Sequence, residues 1–334
     1  MTRPLQQLPE TLQDKLHQCK MPNWTSPMLA TLTEKRFSDS DWIYERKLDG
    51  ERCLAFVNGK HISLKSRNQQ TLNTTYPEIV DALSKQNHNF IVDGEIVAFS
   101  KGKTSFERLQ KRMRISDKQD ARNSNVKVYF YIFDILYYDD NDVTGLPLRT
   151  RKKLLRQAVN FSDGLRYTRH RNENGEAYHE EACKKGWEGI IAKDATATYS
   201  HSRSTKWLKF KCVNQQELVI GGYTEPQGER SHFGAILVGY YQNGSFHYAG
   251  KVGTGFDEQT LKELGKKFKQ QSRKSCPFEE EDQIRERSAH WLNPKLVAEI
   301  GFTEWTRDGK LRHPRYLGLR HDKSPKQVVK ETAH

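Results

Sequence analysis

Lys47-Leu-Asp-Gly-Glu-Arg52 closes an apolar run, Trp42-Ile-Tyr44, and concentrates a lysine, two carboxylates, a glycine and an arginine in one short segment. A lysine is a nucleophile only as the neutral amine, and a reference pKa of about 10.4 keeps it charged at neutral pH, so it needs help from its surroundings. Neighbouring cations could supply that help. In Lys206-Trp-Leu-Lys209-Phe-Lys211 a strand's alternation puts Lys209 and Lys211 on one face and Leu208 and Phe210 on the other. One face would meet an anion and the other a core, although by itself the stretch reads as an amphipathic strand with solvated lysines. Glu95 and Glu188 each flank a glycine beside an apolar strand, in Asp93-Gly-Glu95-Ile-Val-Ala and Glu188-Gly-Ile-Ile-Ala-Lys193. Each could stand at the edge of a buried sheet and face a cleft, whereas an isolated Asp-Gly or Glu-Gly is ordinarily a turn.

These residues need elements to position them. Strands are expected over Trp42 to Tyr44, Cys53 to Val57, Phe90 to Phe99, Val126 to Leu136 and Gly189 to Lys193, with helices near 77–86, 105–114, 149–159 and 176–185. Short strands with interspersed helices predict an α+β, mixed-sheet domain over 24–212. From Asn214 the texture turns to strands and turns. Asn243-Gly244 between two alternating runs predicts a hairpin, followed by a helix near 257–270, and residues 213–334 fit a small β-barrel of the OB type. Residues 1–23 read as an extension whose helix, over 9–20, carries Leu8, Leu12, Leu16 and Cys19 on one face and packs on the main domain.

Taken in order, Lys47-x-Asp49-Gly-x-Arg52, Ser66-Arg67, Asp93-Gly-Glu95, Phe130-Tyr-Ile-Phe133-Asp134, Glu188-Gly-Ile-Ile-Ala-Lys193, Lys206-Trp-Leu-Lys209-Phe-Lys211 and Arg312-x-Pro-x-Tyr316-x-Gly-x-Arg320-x-Asp-Lys323 resemble the nucleotidyltransferase motifs of ATP-dependent DNA ligases. The likeness runs from Trp24-Thr-Ser-Pro-Met-Leu-Ala30 to Pro325. The segments Gly228-Glu-Arg-Ser-His-Phe-Gly and Tyr248-Ala-Gly-Lys251-Val-Gly are most similar to bacterial end-joining ligases, in a free-standing form without polymerase or nuclease domains. The resemblance implies that Lys47 takes AMP from ATP, that AMP passes to the 5′-phosphate of a nick, and that the 3′-hydroxyl then displaces it. It implies a catalytic set of Lys47, Asp49, Arg52, Lys209 and Lys211, and a nucleotide pocket that adds Glu45 at the adenine amino group, Phe133 stacked on adenine, Arg67, Glu95, Glu188, Lys193, and Arg320 with Lys323 at the departing pyrophosphate. Glu95 and Glu188 would hold Mg²⁺ or Mn²⁺. Arg52, Arg67 and Lys251 would face DNA, and the barrel would visit the nucleotide pocket only during lysine adenylation. An RNA ligase or an RNA-capping guanylyltransferase shares the lysine chemistry and is the alternative enzyme; a DNA-end-binding module with a vestigial site is the alternative without catalysis.

The composition agrees with a nucleic-acid partner. The 334 residues carry 55 Lys and Arg against 42 Asp and Glu, a formal charge of +13, and the pI is near 9.4. Such a surface favours a polyanion, here nicked or broken duplex DNA, with a Ku-like end-binding protein as a further partner. Lys101, Lys103, Arg108, Lys111, Arg112 and Arg114 gather around a helix beginning near Ser105, where they would track backbone phosphates. No apolar run approaches the roughly 20 residues that span a bilayer, and no apolar signal core follows Met1-Thr-Arg-Pro-Leu-Gln-Gln. A monomer in the bacterial cytoplasm, at the nucleoid, is the expectation. Five widely spaced cysteines, odd in number and without a Cys-x-x-Cys, are expected to be reduced thiols. The twelve histidines show no ligand spacing with cysteine or acidic residues, so no structural zinc is expected.

Overall fold

The computed structural model describes residues 4–212, 214–226, 231–286 and 288–331. The chain divides into two compact units, the first ending at Cys212 and the second at Glu331. The main elements of the first are β1 (Leu29–Leu32), β2 (Trp42–Arg46), β3 (Glu51–Asn58), β4 (His61–Ser66), α1 (Pro77–Leu83), β5 (Phe90–Ser100), α2 (Phe106–Met113), β6 (Val128–Tyr138), α3 (Leu148–Ala158), α4 (Gly175–Lys184), β7 (Gly189–Asp194) and β8 (Arg203–Lys211). The second contains β9 (Asn214–Thr224), β10 (Ile236–Gln242), β11 (Ser245–Val252), α5 (Glu258–Gln271), β12 (Ala289–Phe302) and β13 (Arg315–Leu319).

The first unit is two sheets with helices outside them. One sheet has the order β6-β5-β3-β4, all antiparallel, extended beyond β6 by the short strands Asn141–Asp142 and His17–Gln18. The other has the order β2-β7-β8-β1, with β2, β7 and β8 antiparallel and β1 parallel to β8; His170–Asn172 adds to the free side of β2. Alternation along the strands assigns the faces. On β3, Cys53, Ala55 and Val57 enter the core shared with α1, α2 and α3, while Leu54 and Phe56 join Ile91, Phe133 and Trp207 in a smaller cluster between the sheets. On β7 and β8, Ile190, Ala192, Leu208 and Phe210 pack with Tyr44 and with Tyr178 and Ala182 of α4. Ile191 and Trp207 face the other way, into the inter-sheet cluster.

The N-terminal helix is shorter than its leucine spacing predicts. Only Glu10–Gln13 is helical, and His17–Gln18 is already a strand paired with Asn141–Asp142. Leu8, Leu12 and Leu16 do pack on the main core, but Cys19 joins the inter-sheet cluster instead. In the second unit β11-β10-β9-β12 form an antiparallel sheet with β13 beside β12, and α5 buries Leu261, Leu264 and Phe268 against it. The Asn243-Gly244 turn joins Gln242 to Ser245 with φ of 52° and 87°, the left-handed pair that a two-residue hairpin requires. Gly228, Glu229 and Arg230 of the quoted barrel segment lie outside the described residues.

The cysteine expectation fails at two positions. Cys183 and Cys212 are joined by a disulfide with their Cα atoms 5.2 Å apart, while Cys19, Cys53 and Cys276 are thiols. His179 precedes Cys183 by one helical turn, the i, i+4 spacing that puts two side chains on one face. Among the described residues His179, Cys183 and Cys212 are the single group with metal-ligand proximity, their ligand atoms within 4.8 Å of one another. The partner that completes the spacing, Cys212, lies 29 residues from Cys183, which hid it from local pattern reading.

Candidate active site

Cross-strand register assembles the site. Lys47 follows β2, and its backbone N–H donates to the carbonyl of Gly189 at 3.0 Å. Gly189 pairs with Lys211, and Ile191 pairs with both Glu45 and Lys209. Residues directly opposite one another share a face. Lys47, Glu45, Lys209, Lys211 and Lys193 are therefore presented toward the β5-β3 sheet, with β8 about 10 Å from β2, two strand spacings away. The glycine of Lys47-Leu-Asp-Gly50 is required where the chain crosses between sheets, because a Cβ at Gly50 would stand 2.2 Å from the carbonyl oxygen of Ile96. Gly189 has φ of +145°, and a Cβ there would stand 2.1 Å from the carbonyl oxygen of Phe210. That spacing sets Glu188 beside Lys47.

The Lys47 ammonium donates to Glu188 Oε1 in a short, half-buried ion pair. Burial opposes the charge, but Glu188, with Asp49 and Glu95, outweighs it and holds Lys47 above its ordinary pKa. The expectation that neighbouring cations depress this lysine is thus corrected: its contacts are acidic. Asp49, Glu95 and Glu188 together offer hard oxygen donors of the kind a divalent cation takes.

Facing Glu188, the other sheet brings Arg67, Arg52 and Glu95 into one row. Arg52 pairs with Glu95 across β3 and β5, and Arg67 follows the Cys53–Ser66 pair, one step beyond, in the turn after β4. Arg52 forks onto the fully buried Asp93 (2.5 and 2.6 Å), donates to the Met28 carbonyl at 3.1 Å, and lies over the Phe133 ring at 4.6 Å. Burial would discharge it, yet Asp93 raises its pKa further. Tyr199 donates to the same carboxylate at 2.6 Å.

At the far end Glu45 is buried between two lysines. Lys193 approaches it at 2.7 Å, and Lys152 makes a short bond to its other oxygen, donating also to the carbonyls of Thr168 (3.0 Å) and Phe133 (3.4 Å). Burial raises the Glu45 pKa less than the two ammonium groups lower it, so it is depressed overall. Lys193 is lowered, by burial first and by Lys152, and lies 4.1 Å from the Phe133 ring centroid and 4.0 Å from that of Trp207. Opposite Glu45, His170 is held neutral, its pKa about 4, by burial and by Lys152. Beside this cluster Arg151 clamps Asp134 through two 2.8 Å bonds with both side chains fully buried. Sequence reading missed Lys152, Arg151 and His170. The signal was there in Arg151-Lys152-Lys153: a helix whose inner face carries two consecutive cations cannot bury them without carboxylate partners.

Other named residues lie elsewhere. Lys101, Lys103, Arg108 and Lys111 are exposed on the β5 hairpin and α2, and Arg114, which follows α2, is exposed as well. Arg112 is a correction. Its side chain is 2% exposed and donates to Glu78 at 2.6 Å and the Thr75 carbonyl at 2.8 Å, so it holds α2 to α1 instead of presenting a charge to DNA. In the second unit Arg320 forks onto Asp322 with two 2.9 Å bonds and lies 3.5 Å from Glu299, while Lys323 contacts Glu217 at 2.9 Å and Lys251 contacts Glu286 at 2.6 Å.

A lysine between two sheets, in a mixed α+β unit followed by an OB-type β unit, is the architecture of covalent nucleotidyltransferases of the ligase kind. Residues 27–211 match the family described as ATP dependent DNA ligase domain, and residues 229–323 the ATP dependent DNA ligase C terminal region. The chain belongs to the ATP-dependent DNA ligase family. It is 33% identical over 319 residues to the multifunctional non-homologous end joining protein LigD of Pseudomonas aeruginosa, covering 93% of this chain and 37% of that protein. It is 35% identical to the multifunctional non-homologous end joining DNA repair protein LigD of Mycobacterium tuberculosis, covering 92% and 40%. The chain therefore spans about two fifths of these relatives. A solved structure described as mycobacterial DNA ligase D complexed with ATP and MES superposes with a TM-score of 0.65 at 32% identity, covering 92% of this chain and 98% of that one. No helix among the described residues is long and apolar enough to cross a membrane.

Proposed function

We propose that this chain seals nicks in duplex DNA through a lysyl-AMP intermediate on Lys47, with ATP as the nucleotide. The observation that carries the reading is the contact of Lys47 with Glu188, beside a strand face shared by Glu45, Lys209 and Lys211 to which the Lys47 N–H is tied through Gly189. Lys47 Nζ attacks the α-phosphorus as pyrophosphate departs; its proton must leave first, and Glu188 is the acceptor in contact with it. Lys209 and Lys211 hold the α-phosphate. Phe133 and Glu45 receive the adenine, with Lys193 and Lys152 orienting the carboxylate. Mg²⁺ or Mn²⁺, held by Glu95 and Glu188, would neutralise phosphate charge. Arg320 and Lys323 serve pyrophosphate departure, a task of the first step alone. AMP then passes to the 5′-phosphate, which Arg52 and Arg67 engage, and the 3′-hydroxyl completes the seal.

DNA is bound through phosphates by Lys101, Lys103, Arg108, Lys111, Arg114 and Lys251, as a monomer, in the bacterial cytoplasm at the nucleoid. End joining is the favoured setting because the similar LigD proteins are named for it, with a Ku-like end-binding protein as the proposed partner. The test is incubation with labelled ATP or GTP and Mg²⁺, then with nicked DNA or RNA. An acid-stable adduct from ATP that is discharged on nicked DNA supports the reading; an adduct from GTP, or discharge on RNA alone, overturns it for a capping enzyme or an RNA ligase.

A further inference from the structure

The sulfur pair lies directly behind the pocket. Cys183 is in the last turns of α4 and Cys212 follows β8, so their bond closes a covalent loop that contains Glu188, Lys193, Lys209 and Lys211. Lys211 points into the pocket, and its neighbour Cys212 points outward, into the layer of Tyr44, Phe210 and α4. The Cys212 N–H donates to the carbonyl of Glu188 at 3.0 Å, so one end of the loop is fixed on the residue that contacts Lys47. His179 Nε2 lies 3.4 Å from Cys183 Sγ, 3.9 Å from Cys212 Sγ and 3.2 Å from the Lys211 carbonyl. All three side chains are half-buried and within reach of small solutes, whereas Cys53 is fully buried.

We propose that Cys183 and Cys212 are a reversible modification site, a thiol–disulfide pair served by His179, whose closed state braces the phosphate end of the nucleotide pocket. The co-reactant is a low-molecular-weight disulfide, RSSR. His179 takes the proton of one cysteine, and the thiolate attacks RSSR, forming a mixed disulfide and releasing RS⁻. The second cysteine, deprotonated in turn, displaces the other RS⁻ and closes the protein disulfide. Two protein thiols and RSSR become one protein disulfide and two RSH, and excess thiol runs the exchange backward. Burial lowers the His179 pKa more than the Lys211 carbonyl raises it, so the ring is neutral near pH 7; with its one proton on Nδ1, Nε2 accepts the thiol proton, and the Nε2–H so formed donates to the Lys211 carbonyl. Opening the loop frees the ends of β7 and β8, and a phosphate cradle held less rigidly loses orientation toward Lys47.

The proposal rests on the ligase reading, and the test separates the two. The intact protein is prepared oxidised with glutathione disulfide or reduced with dithiothreitol, and its thiols are counted by alkylation and mass. Amide hydrogen exchange over 203–212 and single-turnover adduct formation from ATP are then measured. Reduction should speed the exchange and slow adduct formation roughly fivefold or more. Reoxidation should restore both, and Cys183→Ser should behave as the reduced protein in either buffer. Equal exchange and equal rates in the two states would overturn the proposal, as would a bond that dithiothreitol does not open in the folded protein. One retained zinc ion per chain with alkylation blocked would replace it with a metal centre. A protein that forms no adduct in either state would sink the ligase reading, and the exchange comparison alone would then decide this one.

Discussion

Around Lys47 the first unit sets one ammonium among Glu188, Asp49 and Glu95, while around Arg320 the second unit sets one guanidinium among Asp322, Glu299 and Glu217. Both cations are proposed to meet phosphate, and both are held by carboxylates of their own unit. The difference lies in geometry. Lys47 has a single-point contact that a flexible ammonium can exchange, and Arg320 has a planar fork closed on a 2% exposed carboxylate. The two differ in what their removal strands: Lys47→Ala leaves Glu188 at the edge of a cleft, whereas Arg320→Ala leaves Asp322 buried without its cation, so that Arg320 carries a structural load beside its proposed role at the pyrophosphate.

The largest expected effect breaks the first half of that comparison. Lys47→Ala should lower adduct formation from ATP to background, more than about a thousandfold, while a pre-adenylated nick is still sealed; an adduct of normal yield would remove the nucleophile assignment. The wild-type contact also has a pH signature. Because Glu188 holds the Lys47 pKa above its ordinary value, reactivity of Lys47 toward an amine-acylating probe in the nucleotide-free protein should rise about tenfold per pH unit with no plateau below pH 10. In Glu188→Gln the plateau should move down. The linkage signs of the two clusters are opposite. A raised lysine pKa contributes stability that is complete below the unfolded value, about 10.4, and is lost as pH rises through the folded one. The Asp322 carboxyl, which burial pushes up less than Arg320 pulls down, contributes stability above about pH 4 that is lost as pH falls through its folded value.

Arg320 and Lys323 sharpen the second half. Arg320→Ala should destabilise the second unit by about 3–5 kcal/mol, because an uncompensated carboxylate stays buried, and adduct formation should fall with it. Lys323 is 15% exposed and bonds a single glutamate. Lys323→Ala should cost less than about 1 kcal/mol in denaturant melts yet depress adduct formation about tenfold, a barrier change of roughly 1.4 kcal/mol. Loss of stability in both variants, or of adduct in neither, would erase the distinction.

The α+β class and the helices near 77–86, 105–114, 149–159 and 176–185 were legible because each carries its own periodicity and breakers, as Pro77 and the capping Ser105 illustrate. The pairing of Lys47 with Glu188 was not, since it depends on the register of β2 with β7, and single-strand patterns say nothing about register. The Lys209/Lys211 face was legible because alternation is local. The Glu45–Lys152–Lys193 triad was not, since Lys152 arrives from a helix more than a hundred residues along the chain. The same limit hid Cys212 from His179 and Cys183. Charge counting misread Arg112 for a related reason: composition sees a cation in a basic helix, while helical geometry turns it toward Glu78.

A smaller effect tests the triad. Lys152→Met keeps the volume of the stem but removes one of the two cations holding Glu45. Adduct formation at saturating ATP should change little, while the ATP concentration for half-maximal rate rises roughly tenfold as the carboxylate loses its orientation toward the base. A lowered maximal rate with unchanged half-saturation would move Lys152 from positioning the base to positioning the phosphates.

The smallest expected effect returns to the contrast between a charge that is held and one that is presented, now within one helix. Lys111 and Arg112 are sequence neighbours on α2, one exposed and the other buried against α1. Arg112→Ala should cost about 2 kcal/mol of stability through its lost bonds to Glu78 and Thr75 and leave the salt dependence of nicked-DNA binding unchanged. Lys111→Ala should leave stability within about 0.5 kcal/mol and reduce the slope of log affinity against log salt by about 0.9, one phosphate contact. Sequence should hardly alter either titration, because phosphate contacts carry no base information. If Arg112→Ala lowered the slope as Lys111→Ala does, α1 and α2 would have to separate when DNA binds. If neither variant lowered it, the basic helix would be a solvated face and the DNA track would have to run elsewhere.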